Sequence, residues 1–182
     1  VRDLPAGLGY SLFDSLGRPG LSSPTAPHLP DVAGMELFRR LKAGEKQVIS
    51  PMIGAPDGPD PVFLMGRRLG DGAEFHGIAI VTIPVSMLQS LADTLGFVDG
   101  STVSLVASDG MVIARSPPIR PMDLSGTALF DALARAPNGS YDTVSPADGV
   151  ARIVGYWTLP NWQVVAIAAR DRDTALVGFW RN

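Results

Sequence analysis

Apolar positions along this chain fall mostly in runs of strand length, and only a few stretches keep the i, i+3, i+4 spacing of a helix face. Residues 10–14 read as a short strand that ends at a Leu16-Gly17 turn, and residues 18–30, with four prolines, read as a loose loop. Met35, Leu37, Phe38 and Leu41 predict an amphipathic helix over 34–41, with Gly44 as its C-cap. A strand follows over 47–53, then a Pro/Gly/Asp loop over 55–60. Two stronger apolar runs, 62–69 and 75–83, flank Gly70-Asp71-Gly72 and predict a hairpin. Met87, Leu88, Leu91 and Leu95 put a helix over 86–95, capped by Ser86 and stopped at Gly96.

The second half repeats the scheme. Strands over 102–107 and 111–115 flank Ser108-Asp109-Gly110, and a helix follows over 125–136 with Ser125 as N-cap. Strands over 139–144, 151–159 and 163–169 complete it, with Ala147-Asp148-Gly149 and Pro160-Asn161 as turns. Asp171 is placed to cap a helix leaving the domain. The order strand, strand, helix, strand, strand, strand predicts an antiparallel sheet with a helix on one face, an α+β arrangement. The first half reads as a similar but less complete version.

Composition removes several classes of function. The 182 residues carry 15 basic and 18 acidic side chains, a net charge of −3 with no basic stripe, so nucleic acid is not an expected partner. There is no cysteine, which excludes disulfides and thiolate chemistry. His28 and His76 lie far apart without carboxylates at ligand spacing, so neither a metal site nor a cofactor is expected. No hydrolase elbow, phosphate-binding loop or zinc-protease motif is present, so the chain is not expected to be an enzyme. No run is long enough to span a bilayer, and both ends read as cuts in a longer protein.

Three stretches carry a resemblance: FLMGRRLGDGAEFHG from Phe63 to Gly77, VSLVASDGMVIARSP from Val103 to Pro117, and DGVARIVGYWTLPNWQVVAIA from Asp148 to Ala168. In order and spacing they resemble the double Cache sensor domains of bacterial membrane signalling proteins, of the type coupled to diguanylate cyclases and histidine kinases. The resemblance implies two PAS-like lobes in tandem. Residues 1–97 would form the membrane-distal lobe with a candidate ligand pocket, 98–170 the membrane-proximal lobe, and 171–182 the start of a helix leading to the membrane. The usual long N-terminal helix is absent from this chain. The resemblance further implies a place on the periplasmic side of the cell membrane, anchored through segments outside this chain. It also implies a small-molecule ligand and leaves a homodimer open.

The pocket motif of relatives, Val-Ala-Asp-Arg-x-Tyr-Phe, is here Val32-Ala33-Gly34-Met35-Glu36-Leu37-Phe38. The cation and anion that an amino-acid ligand needs are lost, so free amino acids are not expected to bind. The resemblance then implies a more apolar pocket: Met35, Phe38, Ile49, Met52, Phe63 and Met65 around Arg67. By strand alternation Arg67 shares a face with Phe63 and Met65. It is either the contact for a ligand anion or tied to a local group, with Asp31 and Glu36 as candidate partners, and the tie is the plainer reading. Arg115, Asp148, Arg152 and Tyr156 match family positions in the second lobe, where an Arg/Asp tie pinning the sheet is expected. Trp157, Trp162 and Trp180 read as packing residues. The main rival to a ligand sensor is a ligandless dimerisation or protein-interaction module; a small hydrolase is weaker.

Overall fold

Strand-length apolar runs bounded by glycine turns fold here into two sheets of five strands each. The computed structural model describes residues 8–29, 32–54, 61–94 and 100–179. The expected loop 55–60, the helix stop at Leu95-Gly96, Asp31 and Trp180 lie outside the described residues. The chain divides into two units between Pro84 and Val85.

The first unit holds β1 (Gly9–Asp14), β2 (Pro19–Ser22), α1 (Glu36–Lys42), β3 (Gln47–Ile49), β4 (Val62–Leu69) and β5 (Gly77–Pro84). Its sheet runs β2-β1-β5-β4-β3, every neighbouring pair antiparallel. The second unit opens with α2 (Ser86–Thr94). It continues with β6 (Thr102–Ala107), β7 (Val112–Ser116), α3 (Ala128–Leu133), β8 (Asn138–Val144), β9 (Ala151–Leu159), β10 (Val164–Asp171) and α4 (Arg172–Phe179). Its sheet runs β7-β6-β10-β9-β8, also antiparallel throughout. The two strand orders are the same, position for position. The first half is therefore as complete as the second, contrary to the sequence reading. The expected α+β class, with two antiparallel-sheet lobes in tandem, holds.

The missing element was β2, inside the stretch read as a loose loop. All four of its residues are exposed, so it shows no alternation to read. Pro19 opens it at a sheet edge, where a missing N–H costs no ladder bond. Ser22 Oγ donates to Ser11 Oγ at 3.0 Å across the pair. Three other boundaries moved. β3 stops at Ile49, before Pro51, and pairing resumes only as an Ile53–Val62 bridge. α3 starts at Ala128 rather than at Ser125. Asp123 accepts the Ser125 N–H (2.7 Å) and hydroxyl (2.9 Å), and Gly126 follows with φ +71°, so a turn precedes the helix. α2 packs on β6 and β7, and Ser116 Oγ donates to Gln89 Oε1 at 2.6 Å. The helix thus belongs with the second unit, although the sequence reading drew the line after residue 97.

In the first unit Leu37, Phe38 and Leu41 of α1 bury themselves against Leu64, Ile78 and Ile80. Gly66 permits this approach, because a Cβ there would lie 2.7 Å from Leu37 Cδ2. Arg68 closes the helix end. Its guanidinium donates to the carbonyls of Leu41 (2.9 Å), Lys42 (3.2 Å) and Glu74 (3.0 Å), and it lies 4.8 Å from the Phe75 ring centroid. Arg68→Ala is expected to lower the stability of this unit by about 1–2 kcal/mol in urea unfolding. Arg67→Ala, one residue away on the other face, is expected to change it by less than about 0.5 kcal/mol.

Candidate functional site

The seven residues expected to line a first-unit pocket do not converge. Alternation along β4 turns Leu64, Gly66 and Arg68 toward α1 and turns Phe63, Met65 and Arg67 to the opposite face. Ile49 stands opposite Met65 in register, so Ile49, Phe63, Met65 and Arg67 share that face. Phe63 is buried there, Ile49 and Met65 are half-buried, and Arg67 is exposed. Phe38 belongs to the core on the α1 side, and Met35 packs against that core. The sheet itself separates these two from Arg67. Met52 lies half-buried between β3 and the Ile53–Val62 bridge. Glu36 pairs with Arg39 at 2.7 Å instead of with Arg67. The arginine tied to local carbonyls is Arg68.

The second unit forms a half-open cavity of about 60 Å³ between its sheet and the segment that leads into α3. Register explains why polar side chains meet there. Thr143 faces Arg152, Tyr141 faces Val154, Val154 faces Ala169 and Ala169 faces Thr102. Ser104 faces Ile167 on one side and Arg115 on the other. Leu124, Thr127, Ala128 and Leu129 cover this floor, and Ser145 and Pro146 close one side. Tyr156 sits deeper, its hydroxyl 3.0 Å from the Ala132 carbonyl and 3.2 Å from that of Ala136, and so fixes the far end of α3 over the sheet.

Two guanidiniums line this cavity, with side-chain exposures of 12% for Arg115 and 6% for Arg152. One carboxylate serves both. Arg152 Nη1 donates to Asp148 Oδ1 at 2.5 Å, and Arg115 Nη2 donates to Asp148 Oδ2 at 3.3 Å. The expected Arg/Asp tie is therefore present. Asp148 itself is 38% exposed at the cavity's edge. Burial pushes its carboxyl up, but hydrogen bonds from Arg152, Ser145 and the Val150 N–H prevail and hold it down at about 2. Arg115 is pushed below the usual arginine range, first by burial and then by the neighbouring Arg152 charge, with Asp148 opposing. Nε of Arg115 and Nε of Arg152 are buried without a hydrogen-bond partner. Burial also pushes the Tyr141 phenol up to about 12, with Tyr156 adding to the shift, so Tyr141 keeps its proton.

The cluster sits beside the chain's exit from the sheet. Arg152 pairs in register with Asp171, the last residue of β10, and the Asp171 carboxylate accepts the Thr174 N–H at 2.9 Å at the start of α4. Sequence reasoning named Arg115, Asp148 and Arg152 but could not see that two arginines share one acid. The readable signal was Arg152 in an apolar strand at the same parity as Val154 and Tyr156. Trp157, expected to pack, is 60% exposed on the opposite face of β9. Both histidines are exposed, and no cluster of metal-ligating side chains occurs among the described residues.

Residues 86–169 match the family described as dCache_1_like, histidine kinase sensor domain. Among solved structures the chain is similar to the extracellular domain assigned to the histidine kinase rpHK1S-Z16. The identity is 28% and the TM-score 0.70, covering 93% of this chain and 72% of that one. It shares a fold with the ligand-binding domain of the Pseudomonas aeruginosa amino acid chemoreceptor PctB in complex with L-Gln (15% identity, TM-score 0.62, 92% and 69% covered). It also shares one with the periplasmic sensory domain of the Campylobacter jejuni chemoreceptor Tlp1 (14% identity, TM-score 0.61, 93% and 74% covered). No curated protein matches. Over residues 86–169, and in fold over most of its length, the chain is similar to Cache-type sensor domains. Its role is a signalling one.

Proposed function

We propose that this chain is the extracytoplasmic ligand-sensing domain of a membrane receptor, and that its second-unit cavity takes a small molecule whose binding is passed through α4 to an output domain. The observation that carries this reading is the half-open cavity lined by two buried guanidiniums, one of them in register with Asp171, the last residue before α4. A buried cation short of hydrogen-bond partners is costly, and a ligand that satisfies it gains affinity from the same atoms. A ligand shifts a receptor only through states it binds unequally, and a site against the base of α4 is placed to make that distinction. One residue inserted after Asp171 in the full-length receptor rotates α4 by about 100°. We expect it to disturb output while ligand affinity of the isolated domain stays the same. Output unchanged by the insertion would contradict the role given to α4. Where the family's first lobe is concerned, the face of Ile49, Phe63, Met65 and Arg67 is proposed as a contact surface of secondary importance.

A second reading, a ligandless interaction module, is favoured by one observation. Leu91 and Trp157, 49% and 60% exposed, line an open apolar groove on the outer side of the second sheet. Under that reading the isolated domain dimerises in sedimentation experiments and Trp157→Ser abolishes the dimer, with no small molecule bound.

A further inference from the structure

We propose that the open edge of β8 is a docking surface for a second copy of this chain, β8 against β8, antiparallel and centred on Tyr141. The pairing stands whether or not the domain binds a ligand. An uncovered edge strand presents a row of unpaired N–H and C=O groups, and natural sheets guard against this with short strands, prolines, bulges or a covering segment. Of the four sheet edges, those at β2, β3 and β7 are guarded. β2 is four residues long, opens with Pro19 and pairs with a register shift. β3 is three residues long and stops before Pro51. β7 has a register shift, and the Val112 N–H donates to the Met122 carbonyl at 2.9 Å, so a neighbouring segment covers its start. β8 has none of these guards. Its seven residues, Asn138–Val144, pair with β9 without a shift and include no proline, lysine or arginine; five are exposed and two half-buried.

The ladder fixes which way the main chain points. The Thr158 N–H donates to the Pro137 carbonyl, and the Ser145 N–H donates to the Val150 carbonyl. Odd-numbered residues of β8 therefore bond to β9, and Asn138, Ser140, Asp142 and Val144 turn N–H and C=O outward. Among the described residues no backbone group meets this row; only the Thr143 hydroxyl reaches the Val144 carbonyl, at 3.3 Å. The row is self-complementary. Centring the pair on Tyr141 sets Ser140 opposite Asp142 of the second copy and Asn138 opposite Val144 of the second copy. All the outward residues then share about eight main-chain hydrogen bonds. Centring on Ser140 drops Val144 from the ladder, and centring on Asp142 puts two carboxylates face to face, which is unfavourable. In the Tyr141 register a hydroxyl faces each carboxylate instead. The outward residues share a sheet face with Trp157, which stands opposite Asn138. Val144 of the second copy then lies two strand spacings, about 10 Å, from Trp157. Val144 is 63% exposed and Trp157 60%, and the pairing brings these two apolar side chains together.

The test is sedimentation velocity of this chain over a concentration series reaching about 1 mM. Reversible dimerisation of the wild type supports the proposal, and a monomer throughout overturns it. Ser140→Pro removes an outward N–H, leaves the β8–β9 ladder intact and should raise the dimer dissociation constant by about tenfold or more. Ser140→Asp sets carboxylates against each other in the Tyr141 register and should do the same; it carries the test if the proline variant does not fold. Ser140→Lys, which faces that carboxylate with an ammonium, should keep the dimer. Trp157→Ser should weaken the dimer and leave it measurable. A dimer indifferent to both Ser140→Pro and Ser140→Asp overturns the proposal; if Trp157→Ser abolishes such a dimer, the copies meet through the groove on the sheet's outer face instead. Equal loss in Ser140→Lys and Ser140→Asp overturns the proposed register.

Discussion

Gly77→Ala is expected to destabilise the first unit by about 3 kcal/mol or more, enough to prevent folding of a marginal domain. Gly77 opens β5 with φ +129°, a conformation that only glycine adopts without strain. Sterics make the case stronger than the dihedral alone. A Cβ built on Gly77 would lie 2.0 Å from the Phe13 carbonyl oxygen and 2.8 Å from the Asp14 carbonyl carbon. Both atoms are backbone of β1, the strand that pairs with β5 from Gly9 to Asp14, so no side-chain rotation relieves the clash. The comparison is Gly72→Ala in the same connection. Gly72 has φ +60° and nothing within 4 Å of its would-be Cβ, so it is expected to cost only about 1 kcal/mol. Urea unfolding of the two variants measures the difference. Equal costs would mean that the β1–β5 pairing does not depend on the close approach at Gly77.

The second large effect is expected at Asp148. Asp148→Asn removes the one carboxylate shared by two buried guanidiniums and should cost about 2–3 kcal/mol at neutral pH. The estimate stays at the low side because Asp148 is 38% exposed and water screens the pair. Arg115→Gln should cost less, since the shorter Arg152–Asp148 contact survives it. The pH dependence has a definite sign. The Asp148 carboxyl is depressed from 3.8 to about 2 in the folded state, so its stabilisation is complete above about pH 4. It is lost as pH falls toward 2, where the unfolded state binds the proton first. Wild-type and Asp148→Asn stabilities should therefore converge between about pH 4 and pH 2. A gap that persists undiminished at pH 2 would assign the stability to packing around Asp148 and not to its charge.

Much of this architecture was legible in the chain because its strands carry apolar alternation and end at glycine turns. The 62–69 and 75–83 runs, the 151–159 strand and the helix cap at Asp171 are of that kind. β2 was not legible, since a short edge strand with every residue exposed leaves no period, and its proline and glycine read as loop. The start of α3 was misplaced because Ser125 is a good cap in isolation, but the Asp123 side chain claims its N–H and hydroxyl first. The candidate site shows the deeper limit. Alternation correctly grouped Phe63, Met65 and Arg67, yet it could not say which face of β4 meets α1. Adding Met35 and Phe38 therefore joined residues from both sides of a sheet. In the second unit the key pair, Arg115 and Arg152, comes from strands at different positions of the sheet. Only the fold brings them to the same carboxylate.

The central claim, that this domain senses a small molecule through its second unit, is tested most directly by the output of the full-length receptor across a titration of a compound that stabilises the isolated domain in a thermal-shift screen. The account predicts a graded change whose half-maximal concentration matches the dissociation constant of the isolated domain and moves by about tenfold or more in Arg115→Gln. An output that is flat across the titration while the isolated domain binds, or that is unmoved by Arg115→Gln, would contradict it.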